Sequence, residues 1–83
     1  MNLFVSNLSQ DVDESELISE FSAFGQVSFA VIFTNHSMAF PHDSAIVDMP
    51  AKSEAEAAIA GMNGAEMRGS AIEVVEAHPR VEE

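Results

Sequence analysis

Residues 2–6, Asn-Leu-Phe-Val-Ser, alternate in parity, with Leu3 and Val5 on one side and Phe4 and Ser6 on the other. A period of two in strand-forming residues predicts a first strand there. Residues 7–12 read as a loop. The period then lengthens: Leu17, Ile18, Phe21 and Phe24 recur at helical spacing and form one apolar face. Asp13 stands where an N-cap is expected, and Glu16 three residues later completes a capping box. Acidic residues crowd this first turn, where the helix dipole favours them, and Gly25 reads as the stop. Residues 27–34 are rich in Val, Ile and Phe without breakers, which predicts a second strand. After a loop over 35–41, residues 43–49 alternate again and predict a third strand that Pro50 ends. Ser53 with Glu56 repeats the capping pattern, and Ala55, Ala58, Ile59 and Met62 carry a short second helix. Asn63-Gly64 and Gly69 mark turns, residues 71–76 form a last strand, and residues 79–83 read as a frayed acidic tail.

Strand, helix, strand, strand, helix, strand is the split βαβ, ferredoxin-like order of an α+β sandwich. It predicts a four-stranded antiparallel sheet with both helices on one face and the other face open. Eighty-three residues suit one small domain, here residues 1–78 followed by the tail at 79–83. A chain of this length supports a single core, and 47% apolar residues are enough to fill it. The absence of cysteine excludes disulfides and thiolate metal sites. No apolar run is long enough to span a bilayer, and no basic stretch precedes the N-terminal apolar residues as in a signal peptide. Cytoplasmic residence is the expectation.

Charge changes the picture more than composition does. Three Lys/Arg against fourteen Asp/Glu give a formal net charge of −11. Binding to nucleic-acid phosphates draws on Lys and Arg contacts that release counterions. Only Lys52, Arg68 and Arg80 are available, and they are scattered. The same acidity disfavours anionic membranes and aids solubility.

Four pieces of the chain resemble, in order and spacing, the RNA recognition motif (RRM) family. Leu3-Phe4-Val5-Ser6-Asn7-Leu8 is similar to that family's first-strand motif of aliphatic, aromatic, aliphatic, any, Asn, Leu. Residues 21–27, Phe-Ser-Ala-Phe-Gly-Gln-Val, resemble the join between its first helix and second strand. Residues 55–64, ending Ala-Ile-Ala-Gly-Met-Asn-Gly, look like its second helix and following turn, and Gly69 with Ile72 and Val74 fits its final strand. The third strand departs from the pattern of basic, Gly, aromatic, Gly or Ala, aromatic, aliphatic, any, aromatic. Aligned on Val47, this chain carries His42, Asp43, Ser44, Ala45, Ile46, Val47, Asp48 and Met49. Ser44 and Ile46 stand where the family keeps its outward aromatics, and His42 stands where it keeps a base.

Alternation along each strand builds the open face. Phe4 and Ser6 point outward from the first strand, Val31 and Phe33 from the second, Ser44, Ile46 and Asp48 from the third, and Glu73 and Val75 from the last. The resemblance implies single-stranded RNA on this face, with Phe4 stacking on a base and Phe33 and His42 assisting. The candidate RNA-binding residues are Phe4, Ser6, Phe33, His42, Ser44, Ile46, Asp48 and Val75. Asp48 and Glu73 oppose phosphate, so weak binding is expected. The alternative is a protein-interaction module on the same fold, using the apolar sheet face for self-association or a partner protein. The acidic first helix would suit a basic partner.

No catalytic or metal chemistry is legible. None of His36, His42 and His78 has a His or acidic partner at helical ligand spacing. The serines lack a supporting base in any recognisable motif, and the glycines form no phosphate loop. The chain reads as a non-enzymatic module without cofactor.

Overall fold

A computed structural model describes residues 1–9, 11–33 and 44–77. The expected loop over 35–41, the three histidines, Arg80 and the tail at 79–83 lie outside the described residues. The elements run β1 (Asn2–Ser6), α1 (Glu14–Ser22), β2 (Phe29–Phe33), β3 (Ser44–Asp48), α2 (Lys52–Met62), β4 (Glu66–Met67), β5 (Ser70–Ala71) and β6 (Glu73–Ala77). The main sheet has the order β2-β3-β1-β6, with every neighbouring pair antiparallel. This is the expected βαββαβ sandwich with a small hairpin, β4-β5, inserted before the last strand.

The core lies where alternation placed it. Leu3 and Val5 of β1, Val47 of β3 and Val74 of β6 are fully buried, under Leu17 and Phe21 of α1 and Ala55 and Ala58 of α2. Burying a Leu, Val or Phe side chain is worth about 1.5–3 kcal/mol, so these few positions set the helix-over-sheet packing. Ile18, expected in this core, is 37% exposed on the flank of α1. Leu17 and Phe21, four apart, already fill the stripe that faces the sheet. Gly61 of α2 faces Phe24, two residues past the end of α1. A Cβ there would lie 2.5 Å from the Phe24 ring, so the bare backbone makes room for the half-buried aromatic.

The helix starts show capping signals used unequally. Asp13 caps α1, its Oδ1 accepting from the Glu16 backbone N–H at 2.9 Å. Glu16 does not return as in a full capping box. Its Oε1 accepts instead from Nε of Arg68, at 2.8 Å, on the distant hairpin. Glu14, in the first turn, uses Oε2 to accept from the Ile32 N–H on β2 at 3.1 Å. For α2 the Ser53–Glu56 signal is overridden. The helix begins at Lys52 with Ala51 as an N-cap that makes no side-chain bond.

The last strand is shorter and later than expected. The stretch read as one strand over 71–76 divides at Ile72. Ile72 donates to Ala65 O at 2.9 Å and accepts from Gly64 N at 2.7 Å, so it belongs to the hairpin's base. The hairpin turns through Arg68 and Gly69, both at positive φ (49° and 88°). Two successive left-handed residues make the type I′ geometry that suits a two-residue loop. Asn63 Oδ1 accepts from the Val74 N–H at 3.0 Å and holds β6 to the end of α2.

Candidate nucleic-acid interface

The motif that opens the chain divides its labour by parity. Leu3, Val5 and Leu8 enter the core. Asn7 adopts a left-handed conformation (φ 63°) and its Nδ2 donates to Ala71 O at 2.9 Å. It joins the end of β1 to the hairpin and builds the scaffold. That leaves Phe4 and Ser6 to the open face, both half-buried.

Strand register sets the remaining residues around Phe4. Phe4 stands between Ile46 of β3 and Val75 of β6, and Ile46 stands beside Val31 of β2. Val31, Ile46, Phe4 and Val75 therefore form one apolar row across all four strands. At about 4.8 Å between strands, the row is roughly 14 Å long. Its ends are the most open, with Val31 43% and Val75 52% exposed. On one side of this row lie Phe33 and Ser44, and Ser6 with Glu73. On the other side Phe29, Asp48, Asn2 and Ala77 follow one another from β2 to β6.

Two of these placements differ from expectation. Ser44 has the outward parity but is completely buried. A fully buried hydroxyl offers no open stacking or contact surface, so the face at this point is narrower than alternation alone implies. Phe29 was not among the candidate residues, yet it is 46% exposed on the open face. It shares parity with Val31 and Phe33, which was the signal available for finding it. His42 lies outside the described residues. The other candidates, Phe4, Ser6, Phe33, Ile46, Asp48 and Val75, share the face as expected.

The face is apolar with an acidic fringe. Among the described residues it carries Asp48 and Glu73 and no Lys or Arg. Arg68 is on the far hairpin, where its hydrogen bond to Glu16, and then the charge of that carboxylate, raise its pKa above the usual guanidinium value. Lys52 is exposed at the first residue of α2. It borders a shallow hollow of about 430 Å³ lined by Met1, Asn2, Asp48, Pro50, Lys52, Glu76 and Ala77. Among the described residues no group of His, Asp and Glu side chains could hold a metal ion, and no helix is long and apolar enough to cross a membrane.

Comparison with known proteins agrees with this geometry. RbpA of Synechocystis sp., which bears a provisional RNA-binding name, is 34% identical over 80 residues, spanning 96% of this chain and 79% of that protein. The crystal structure of RNA-binding protein PG1 superposes with a TM-score of 0.86 at 29% identity, covering 99% of both chains. An Sxl-lethal protein/RNA complex superposes with a TM-score of 0.84 at 30% identity, covering 98% of this chain and 48% of that one. The RNA recognition motif family model matches residues 3–73. With that match spanning most of its length, this chain belongs to the RNA recognition motif family.

Proposed function

We propose that this domain is a non-enzymatic module that binds single-stranded RNA on its open sheet face, with Phe4 as the central stacking platform. The observation that carries the reading is the position of Phe4. It is the aromatic of the family motif, it lies on a central strand, and it sits within an apolar row that crosses the whole sheet. The RNA-binding name of one relative and the RNA complex of a structural neighbour support the same reading.

The interaction is weak by family standards, for a physical reason. One stacked base is worth roughly 1–3 kcal/mol. Replacing two outward aromatics by Ser44 and Ile46 forfeits roughly 2–6 kcal/mol, or about 30-fold to 10⁴-fold in affinity. Asp48 and Glu73 add repulsion of phosphate. Phe33 and Phe29 restore part of the aromatic surface.

The test is an amide chemical-shift titration with a mixed pool of short single-stranded RNAs at low salt. Shifts are expected around Phe4, Ile46, Phe33 and Val75, and Phe4→Ala should weaken binding by roughly 5- to 150-fold, the value of one stacked base. An absence of shifts at millimolar RNA refutes the proposal. If Phe4→Ala instead dissolves a dimer, the sheet face serves self-association.

A further inference from the structure

The end row of the sheet brings together an aromatic, a carboxylate and an amide. Phe29 stands directly beside Asp48, and Asp48 directly beside Asn2. Phe29 is 46% exposed, and Asn2 is exposed too. We propose that Phe29, Asp48 and Asn2 form a guanine-selecting subsite for single-stranded RNA lying across the sheet. The proposal rests on the RNA reading above and deepens it by assigning a base preference.

The chemistry of the three side chains selects the base. The Phe29 ring supplies a stacking surface that any base can use. Specificity comes from its neighbours, because unstacked bases are read along their hydrogen-bonding edges. An ionised carboxylate only accepts hydrogen bonds, through two oxygens side by side. It is matched best by two parallel N–H donors. Guanine alone among the RNA bases presents such a pair, N1–H and N2–H, on its Watson–Crick edge. Adenine and cytosine set a ring-nitrogen acceptor next to their amino group. Uracil flanks its single N3–H with two carbonyl oxygens. Each of these places a lone pair against the Asp48 carboxylate. The Asn2 amide adds a donor for the guanine O6. Asp48, unfavourable for phosphate, thus becomes favourable for one base.

Two cations border this end of the sheet among the described residues: the N-terminal ammonium of Met1, 3.8 Å from Asp48 Oδ1 and donating to the Met49 carbonyl at 2.9 Å, and Lys52, which supplies the phosphate contact. Lys52 borders the same hollow as Asn2 and Asp48. As the first residue of α2 it occupies a place where the helix dipole favours an acid over a base, so helix stability does not explain it. Among the described residues it makes no ion pair.

The experiment compares three RNA octamers by the same shift titration: octauridine, octauridine with one central guanosine, and that octamer with inosine in place of guanosine. A bidentate pair discriminates by roughly 5- to 150-fold, and the guanosine octamer should exceed octauridine by a factor in that range. Inosine lacks the N2 amino group and should lose most of the gain. Asp48→Asn should abolish the preference while strengthening octauridine binding, because it removes a negative charge from the face. Phe29→Ala should weaken both octamers, and the guanosine octamer more, because the guanine also loses the platform that holds it against Asp48. Lys52→Gln should flatten the salt dependence by about 0.7 in log–log slope. Equal affinity for the guanosine octamer and octauridine, with binding still dependent on Phe4, overturns the subsite and leaves the RNA reading standing. A guanosine preference that survives Asp48→Asn also overturns it. Failure of wild-type protein to bind either octamer at millimolar concentration overturns both.

Discussion

Gly25 shows how far a single residue is specified by its neighbours. Any Cβ built there would overlap the Glu54 side chain, whose Oε1 accepts from the Gln26 N–H at 3.0 Å. Gly25→Ala should therefore cost about 1–3 kcal/mol, the usual range for overpacking, read as a lowered urea midpoint. In a Glu54→Gly background the side chain that blocks this Cβ is gone, and a double-mutant cycle should show the Gly25→Ala cost reduced toward that of the positive φ (157°) alone. Residue-level features were legible to different degrees. The inward set Leu3, Val5, Val47 and Val74 follows from strand alternation and is fully buried. Phe29 was equally open to that logic, but the family resemblance draws attention to β1 and β3 and away from the start of β2. The burial of Ser44 was not legible, because parity gives a residue's side of the sheet and not what covers it.

At the level of elements, α1 owes its start to Asp13, and Asp13→Ala should destabilise the domain by about 1 kcal/mol, measured by thermal or urea unfolding. Among the described residues β2 is an edge strand, paired with β3 alone. Glu14 occupies the Ile32 N–H that would otherwise face outward from this edge. Glu14→Ala should speed hydrogen exchange at the Ile32 amide and leave the amides of β1, which lies in the sheet interior, unchanged. Equal acceleration throughout the sheet would instead report global destabilisation. The long elements were legible because each holds one period over several residues. The β4-β5 hairpin was not, because two-residue strands are too short to show alternation, and its turn is Arg-Gly rather than the commoner Asn-Gly. α2 starts ahead of its capping pattern, a signal worth about 1 kcal/mol that its N-terminus does not use.

For the whole molecule, charge governs how binding responds to salt. The sequence contains three Lys and Arg residues. At about 0.7 per phosphate contact on a single strand, the slope of log affinity against log salt should be no steeper than about −2. A steeper slope in a salt series would mean that phosphate contacts carry more of the affinity than these cations can supply. The order β2-β3-β1-β6 has a consequence of another kind. β1 is the first strand to be made, yet it occupies the middle of the sheet, with Asn2 beside Ala77 and Ser6 beside Glu73. During synthesis on the ribosome, one flank of β1 stays unpaired until nearly the entire domain has emerged. Closure then joins strands from opposite ends of the chain, a non-local step that slows folding. A nascent chain halted before residue 73 therefore lacks the strand that completes its centre. Such a chain should be cleaved readily by protease, whereas one halted well past residue 77 should resist.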